Sequence, residues 1–256
     1  MGRILAVHAH PDDAEILAGG TLALLSLGGH HVTIATMTPG DCGSSELPPD
    51  EIAALRRREA AKAAGLIGAR YLCLEMRDLA VFNDDASRRR VTRALRQARP
   101  DIVLAASPVD YLCDHEAASA LVRDACFGAP APNYAPGPEP PLDRIPHLYF
   151  MDPVGGVDRD GRVVAPDFVV NAGAVFARKR EMLACHASQR EWLLRHHGND
   201  DYILQMELWT RERGALVGLA YGEGFRQYRG HPYPQSPALQ ESLGKDAIPV
   251  KPGVLS

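Results

Sequence analysis

A short apolar segment near the N-terminus stops abruptly at a cluster of histidines and carboxylates, and this feature constrains the fold most. Residues 4–7 are apolar, residues 8–15 read HAHPDDAE, and residues 16–25 have the composition of a helix. Pro11 restricts its own φ angle and favours an extended conformation at His10, so the strand is expected to reach the turn. The sequence therefore predicts a strand, a tight polar turn and a helix.

The side chains of this turn indicate a functional site. His10 offers an imidazole nitrogen, while Asp12 and Asp13 offer two carboxylates that point in different directions from a tight turn. A helix cap needs one such carboxylate, so capping explains neither the second acid nor His10. Ligands of open α/β sheets bind at the carboxyl ends of the strands, which is where this turn would lie.

Strands alternate with helices through the first half of the chain. Further strands are predicted at 31–37, 70–74 and 100–106, and helices at 51–64, 85–99 and 115–127, with Asp50 as the cap of the helix that Gly65 closes. This alternation implies βαβ units with right-handed crossovers. We therefore predict an α/β fold: a Rossmann-like, mostly parallel sheet flanked by helices, with the active site at the carboxyl ends of the strands.

The second half of the chain departs from this alternation. Residues 128–146 are too rich in proline for a packed element and predict a long loop, typical of a functional rim or lid. A strand is predicted at 147–151, another at 167–171, and helices at about 178–195 and 200–218. The tail from about residue 228 is predicted to be irregular. Without a linker or a repeat, residues 1–256 are interpreted as a single domain.

Composition excludes several classes of partner. The formal net charge of −4 gives no electrostatic reason to expect nucleic acid, and no apolar run approaches the roughly 20 residues of a membrane span. The N-terminus lacks the layout of a signal peptide. Five scattered cysteines without a CxxC pair favour reduced thiols in the cytoplasm and no cysteine zinc site. Self-association into a homo-oligomer stays open.

A second polar cluster follows the fourth predicted strand. Its last residues are Asp114 and His115, and strands one and four of such a sheet can open onto the same crevice. His10, Asp13 and His115 would then form a three-ligand catalytic zinc site with an open position. Such an ion lowers the pKa of its water to about 7, and a neighbouring carboxylate can accept the proton. The alternative for His115 is an ordinary helix residue capped by Asp114.

Several motifs together closely resemble the LmbE-like (PIG-L) N-deacetylases. The specific one is residues 10–15 (HPDDAE) followed by 19–22 (GGTL); the supporting ones are Asp114-His115, Arg56-x-x-Glu59-Ala60, residues 186–189 (HASQ) and residues 221–226 (YGEGFR). The resemblance implies a zinc-dependent hydrolase that removes an acyl group, usually acetyl, from an amino sugar such as N-acetylglucosamine or a small-molecule conjugate. It also implies one Zn²⁺ per chain, held by His10, Asp13 and His115, with Asp12 as the general base.

One position departs from the family pattern. The family commonly reads His-Pro-Asp-His at the second cluster, whereas residues 112–115 read Leu-Cys-Asp-His, so an imidazole that helps to stabilise the oxyanion or protonate the amine is missing. Tyr111 or His186 is expected to replace it, with His196, His197 and His231 as further candidates. The alternative is a metal-binding protein with weak or lost activity.

Two further residues are expected near the mouth of the site. Arg56 and Asp78 are candidates for contacts to substrate hydroxyls or carboxylates, and a surface salt bridge is the favoured role for Arg56. The loops 38–49, 77–84 and 128–146 are expected to shape the pocket. A nucleotide-binding module is disfavoured because the first turn lacks G-x-G-x-x-G, and a serine hydrolase because G-x-S-x-G is absent.

Overall fold

A computed structural model describes residues 1–197 and 202–251 and contains, in these ranges, eight strands and eight α-helices. The strands are β1 (Arg3–His8), β2 (His31–Thr36), β3 (Arg70–Cys73), β4 (Ile102–Ala105), β5 (His147–Met151), β6 (Phe168–Asn171), β7 (Gly222–Gln227) and β8 (Ala247–Pro249). The helices are α1 (Asp13–Leu27), α2 (Pro49–Gly65), α3 (Asp85–Ala98), α4 (Cys113–Gly128), α5 (Phe176–Ala184), α6 (Ala187–His197), α7 (Tyr202–Ala215) and α8 (Ala238–Leu243). None of these described helices is long and apolar enough to cross a membrane.

The eight strands form one sheet in the order β3-β2-β1-β4-β5-β7-β6-β8. Strands β1 to β5 pair in parallel, and β7, β6 and β8 extend the sheet with antiparallel pairs. The predicted α/β fold with a mostly parallel, Rossmann-like sheet is therefore confirmed. The chain moves from β1 to β2 and β3 on one side and to β4 and β5 on the other, so the strand order reverses between β1 and β4.

Strand β1 is buried on both faces because helices cover both sides of the sheet. Ile4 and Ala6 belong to the core on the α1 side, whereas Leu5 and Val7 belong to the core on the α3 and α4 side. Successive side chains of a strand point to opposite faces, which explains this alternation. A strand buried on both faces reads as a continuous apolar run, as residues 4–7 do.

Helix α1 is fixed to the far end of the sheet by a buried carboxylate on β7. Glu223 accepts hydrogen bonds from the backbone N–H groups of Gly20 and Thr21 at 2.8 and 2.6 Å and from the ammonium group of Lys179 at 2.7 Å. Both Glu223 and Lys179 have 1 % of their side chains exposed. A Cβ atom at Gly20 would lie 2.7 Å from the Cβ of Ala172, so only glycine allows this close approach.

The second half of the chain differs from its prediction in three respects. The helix predicted at 178–195 is two helices, α5 and α6, separated at Cys185 and His186. Strand β7 was not predicted, because its glycines have low strand propensity; Gly224 is needed there, since a Cβ would lie 2.0 Å from Oδ2 of Asp152. The tail from about residue 228 is not wholly irregular, because α8 and β8 lie within it.

The proline-rich loop 128–146 contains no helix or strand beyond the end of α4, as predicted, but it is not a rim of the cavity described below. The side chain of Arg96 is buried and donates to the carbonyl oxygens of Ala129, Ala131, Tyr134 and Ala135. These four bonds to backbone carbonyl oxygens hold the loop against α3. The loop is therefore a packed part of the fold.

The start of α2 also differs from its prediction. The residue before the helix is Pro48, which makes no side-chain cap, and Asp50 lies within the first helical turn instead of capping it. Pro49 occupies the first helical position, where its missing N–H would have no partner in the helix and its fixed φ angle suits the helix. Asp50 still favours the helix electrostatically, because the N-terminus is the positive end of the dipole.

Candidate metal centre and active site

The predicted site residues lie at the carboxyl ends of β1 and β4, which are neighbours in the sheet. The chain leaves β1 at His8 and enters α1 at Asp13, and it leaves β4 at Ala105 and enters α4 at Cys113. Because the strand order reverses between these two strands, a crevice opens at their ends, which is where ligands of such sheets bind. The sequence-based expectation that strands one and four share a crevice is confirmed.

The three predicted metal ligands converge in this crevice. Nδ1 of His10 lies 3.3 Å from Nε2 of His115, and Oδ2 of Asp13 lies 3.3 and 3.4 Å from these two nitrogens. Ligand atoms around a tetrahedral ion with bonds of about 2.0–2.1 Å are about 3.3–3.4 Å apart. The spacing of the three atoms therefore suits a small divalent ion such as Zn²⁺.

The partners of the two imidazoles determine which nitrogen faces the crevice with a lone pair. Nε2 of His10 lies 2.8 Å from Oδ1 of Asp78, and Nδ1 of His115 lies 3.2 Å from Oδ1 of Asp110. Each carboxylate favours a proton on the nitrogen that it contacts, which leaves the other nitrogen as an acceptor. Two imidazole lone pairs and a carboxylate oxygen then face one another, and a cation is the partner that such a set lacks.

Asp13 and Asp110 are themselves held in place by buried groups. Nδ1 of His8 donates to Oδ2 of Asp13 at 2.6 Å, and the backbone N–H of His10 donates to the same oxygen at 2.8 Å. Asp110 accepts from the backbone N–H groups of Tyr111 and Val154. Sequence reasoning assigned no role to His8 or Asp110, although both lie in the stretches that it singled out.

The charges around the crevice favour bound cations. Burial alone would lower the pKa of His10, but Asp114, Asp13 and Asp78 raise it well above its usual value. Burial raises the pKa of Asp13, but His8, His115 and the hydrogen bond from His10 bring it well below its usual value. Asp13 therefore stays ionised at neutral pH and is available as a ligand.

Asp12 stands beside the three ligand atoms in a strained backbone conformation. Its φ angle is 103°, which non-glycine residues rarely adopt, and its side chain does not cap α1. Its Oδ2 accepts a 2.5 Å hydrogen bond from the hydroxyl of Tyr202, and its Oδ1 lies 3.7 Å from the guanidinium of Arg56. Burial raises the pKa of Asp12 above its usual value, and Arg56 partly opposes this shift. Tyr202 was not identified from the sequence.

Arg56 is buried at this site, so its interpretation as a surface salt bridge is wrong. Only 3 % of the residue is exposed, and its guanidinium donates to the carbonyl oxygens of Pro11 and Gly40. Its position on α2 looked like part of a solvated basic face, because Arg57 and Arg58 follow it. The side chain instead reaches under the loop after β2 and lines the cavity beside Asp12.

The start of α4 places Tyr111 and Leu112 at the crevice. The helix begins at Cys113, two residues earlier than predicted, and Asp114 does not cap it. The carboxylate of Asp114 accepts from the backbone N–H of Leu79 at 2.7 Å and thereby holds the loop after β3. Leu112 lines the cavity where the family's imidazole is expected, and the ring of Tyr111 is 5.4 Å from that of His115.

His186 and His231, two other candidate histidines, lie away from the cavity wall. His186 is buried, with Nε2 3.4 Å from Oε1 of Glu15, and it does not line the cavity. Burial lowers the pKa of His186, but Glu15 and Asp12 raise it above its usual value. His231 is exposed at a different surface. The side chains of His196 and His197 lie outside the described part of the structure.

The candidate metal ligands, Asp12, Arg56 and Tyr111 line one cavity of about 610 Å³. Its described lining comprises His10, Asp12, Asp13, Ile16, Cys42, Gly43, Arg56, Asp78, Leu79, Tyr111, Leu112, His115, Val154, Gln189, Trp192, Leu193, Tyr202, Gln205 and Trp209. The loops 38–49 and 77–84 contribute to it as predicted, whereas 128–146 does not. The volume is within the range of small-molecule sites.

Two supporting motifs of the sequence contact each other. The Glu59 carboxylate on α2 accepts hydrogen bonds from the backbone N–H and the hydroxyl of Ser188, at 3.0 and 2.6 Å, near the N-terminus of α6. A carboxylate at a helix N-terminus satisfies free N–H groups and suits the helix dipole. These motifs therefore orient α6 over the cavity.

Comparison with known proteins agrees with this geometry. Residues 5–126 match the profile of the PIG-L family, described as GlcNAc-PI de-N-acetylase. A 1D-myo-inositol 2-acetamido-2-deoxy-alpha-D-glucopyranoside deacetylase of Nakamurella multipartita is 26 % identical and covers 92 % of this chain and 92 % of its own. A 4-oxalmesaconate hydratase of Pseudomonas putida is 28 % identical over 72 % of this chain and 73 % of its own.

A solved structure extends the likeness to the whole fold. The N,N'-diacetylchitobiose deacetylase of Pyrococcus horikoshii superimposes with a TM-score of 0.75 at 25 % identity, over 91 % of this chain and 87 % of that one. The matched segment 5–126 contains both polar clusters, from His10 to His115. Residues 5–126 of this chain therefore form a PIG-L (LmbE-like) domain.

Proposed function

We propose that this protein is a divalent-metal-dependent N-deacetylase that acts on an N-acetylated amino sugar or a small conjugate of one. The observation that carries the proposal is the convergence of His10, Asp13 and His115, with atoms 3.3–3.4 Å apart, beside the carboxylate of Asp12. This set unites metal ligands and a general base at one end of a cavity large enough for a small molecule.

His10, Asp13 and His115 would hold the ion, and Asp78, Asp110 and His8 would orient them. Two imidazoles and a carboxylate are the ligands of many catalytic zinc sites, so zinc is the ion that we propose, one per chain. Such an ion, when bound, supplies Lewis acidity and makes water a nucleophile at neutral pH. Other divalent ions that accept the same ligands would compete for the site.

Asp12 is the proposed general base. Its carboxylate takes a proton from the attacking water as the new C–O bond forms, and it returns that proton to the nitrogen as the C–N bond breaks. Burial raises the pKa of Asp12, which makes it a stronger base than an exposed aspartate. Tyr202 contacts Oδ2 and Arg56 lies near Oδ1, and together they hold the carboxylate in place.

Tyr111 is the proposed donor to the developing oxyanion. Leu112 has no donor, and His186 is not part of the cavity lining, whereas Tyr111 lines the cavity next to His115. Although 63 % of Tyr111 is exposed, partial desolvation of its phenol and the nearby Asp13 raise its pKa, and the phenol can donate at neutral pH. An oxyanion donor of this kind contributes about 3–4 kcal/mol to catalysis.

The amino sugar would occupy the space between the metal ligands and helix α6. Arg56 and Gln189 line that part of the cavity and offer a donor and an acceptor to sugar hydroxyls or the ring substituents. The relatives named as deacetylases support such a substrate, since their names specify acetamido sugars. The five free thiols support a cytoplasmic location, which we propose as well.

Hydration of a double bond is a second candidate, because one relative is named as a hydratase. Water activation by the same ligands would serve that reaction too. The substrate named there is a carboxylate, however, and among the described cavity residues Arg56 is the one arginine or lysine, already facing Asp12. The three acids of the described cavity lining, Asp12, Asp13 and Asp78, would repel a polyanion. The alternative of a metal-binding protein without catalysis finds no support in the relatives, which are named as enzymes.

Metal-loaded protein incubated with N-acetylated amino sugars and their glycosides tests the proposal, with acetate and the free amine measured together. We expect equal amounts of both products, abolished by chelation and restored by zinc. Loss of absorbance from an unsaturated carboxylate such as 4-oxalmesaconate, without amine release from any sugar, would favour the hydratase. Absence of both activities in protein with one bound zinc would contradict both proposals.

A further inference from the structure

We infer that the amino-sugar substrate carries an apolar aglycone, aromatic or aliphatic, and that helices α6 and α7 bind it. This inference rests on the proposed N-deacetylase function and adds the class of conjugate. The chain has two tryptophans, and both line the cavity that contains the proposed metal ligands. Large aromatic side chains bury much apolar area and dominate the energetics of such sites.

Helix α6 turns one face toward the cavity. Gln189, Trp192 and Leu193 line it at positions i, i+3 and i+4, which share one side of a helix. The exposed Leu194 follows on another side and does not line the cavity. Trp192 and Leu193 therefore face the space proposed for the substrate as well as the protein core.

Helices α6 and α7 together form one wall of the cavity, and α7 is its second part. Tyr202, Gln205 and Trp209 line the cavity at positions i, i+3 and i+7. Tyr202 donates to Asp12, so this stripe begins at the proposed base. Trp209 lies about 10 Å further along the helix axis, since each residue adds about 1.5 Å. An apolar group bound at Trp209 would therefore lie about one sugar ring away from the reacting amide.

Trp209 has apolar neighbours on the side that faces this cavity. Ile16 and Val154 line the same cavity, and the indole lies against Gly155, whose added Cβ would be 3.6 Å from Nε1. On the α6 side of the cavity, Oε1 of Gln189 and Nε of Arg56 are buried without a hydrogen-bond partner in the described structure. These polar groups mark the part of the cavity proposed for the sugar, and the apolar residues mark the part proposed for the aglycone.

The position of helix α7 indicates which end of the substrate would lie along it. Asp12 returns the proton to the leaving amine, and Tyr202 of α7 contacts Asp12 directly. Tyr111 and Leu112 of the α4 side lie with His115, where the acyl carbonyl would be. Because α7 begins at Tyr202, which contacts the proposed base, we place a group that extends along α7 on the sugar.

Three substrates test this assignment: the methyl and phenyl glycosides of N-acetylglucosamine, and methyl N-octanoylglucosaminide. We expect kcat/KM for amine release to be about tenfold or more higher for the phenyl than for the methyl N-acetyl glycoside, the range that an apolar pocket discriminates. Trp209→Ala should bring that ratio close to one. Leu208→Ala, an exposed neighbour on α7, is the matched control. Leu193→Ala reports on α6 if Trp209→Ala does not fold.

Binding provides a readout that does not depend on catalysis. Isothermal titration calorimetry with methyl and phenyl glucosaminide should give about tenfold tighter binding of the phenyl compound, and Trp209→Ala should lose this difference. Equal constants for the two glycosides would overturn the inference, and so would a larger gain from the octanoyl than from the phenyl group. If no sugar releases amine, the deacetylase proposal fails, and the same titration still decides whether the apolar site exists.

Discussion

The Nδ1 atom of His10 and the Nε2 atom of His115 lie 3.3 Å apart, although 105 residues separate these histidines in the chain. Their other ring nitrogens contact Asp78 and Asp110, and Oδ2 of Asp13 lies 3.3 and 3.4 Å from the two facing nitrogens. Protons on the nitrogens beside Asp78 and Asp110 would leave two lone pairs facing each other, which a cation between them would stabilise. The geometry therefore suits a bound ion.

Replacement of either histidine should abolish metal binding. We expect wild-type protein to bind about one zinc per chain and His10→Ala or His115→Ala to lose both the metal and activity, measured by elemental analysis after gel filtration. His231→Ala, which removes an exposed histidine at another surface, is the control. A His115→Ala protein that retained stoichiometric zinc would show that the ligand set is wrong.

The carboxylates behind the imidazoles should tune metal affinity. Asp110→Asn and Asp78→Asn remove the charge that holds His115 and His10 in the required tautomer, and such changes typically weaken metal binding by about 10–100-fold. Competition with a chromogenic chelator measures this directly. Asp124→Asn, an acid outside this cavity, should leave the affinity unchanged. Wild-type zinc affinity in both site variants would mean that these acids serve another purpose.

The two adjacent aspartates should separate by phenotype. Asp12→Asn keeps the ligands but cannot accept a proton, so we expect normal zinc content and a loss of about 10²–10⁴-fold in turnover. Asp13→Asn should instead weaken metal binding, because Asp13 supplies the ligand oxygen. Zinc content and kcat measured on both variants decide the matter. Reversed phenotypes would exchange the two roles.

Removal of the residue that replaces the missing imidazole should lower kcat. We expect Tyr111→Phe to reduce kcat by about 10²-fold with little change in KM, the signature of a contact made in the transition state. His186→Ala, outside the cavity lining, should have a smaller effect. Wild-type turnover in both variants would mean that neither residue assists the oxyanion.

The pH dependence of Tyr111 has a definite sign. Partial desolvation, Asp13 and Asp110 raise its pKa although most of the residue is exposed, so we expect the phenol to remain a donor up to its ordinary pKa of about 10. The kcat ratio of wild type to Tyr111→Phe should therefore stay constant from neutral pH to about pH 10. A ratio that declined toward one across this range would show that the phenol ionises at its ordinary pKa.

The buried Glu223 should matter for folding more than for chemistry. Glu223→Ala leaves the ammonium of Lys179 and two N–H groups of α1 buried without their acceptor, which typically costs about 3–5 kcal/mol. Urea denaturation measures the free energy of unfolding. Asp160→Ala removes an exposed ion pair with Arg162 and should cost at most about 1 kcal/mol. Equal stability of the two variants would contradict this view of Glu223.

The parts of the fold that could be predicted from the sequence depend on local rules. Residues 4–7 are a continuous apolar run followed by Pro11 and acids, so the strand, turn and first helix could be read directly. Alternating elements then implied parallel pairing, and parallel pairing put the ends of β1 and β4 at one edge. His10, Asp13 and His115 followed from that topology and from the resemblance of the motifs.

The tertiary structure decided the contacts that join distant segments. Tyr202 meets Asp12 across 190 residues, and no local pattern marks it. Arg56 looked solvated beside Arg57 and Arg58, but the loop after β2 covers it. Gly222 and Gly224 have low strand propensity, yet β7 forms because it pairs with β5 on one side and with β6 on the other. Local propensity is worth fractions of a kcal/mol per residue, and burial and strand pairing outweigh it.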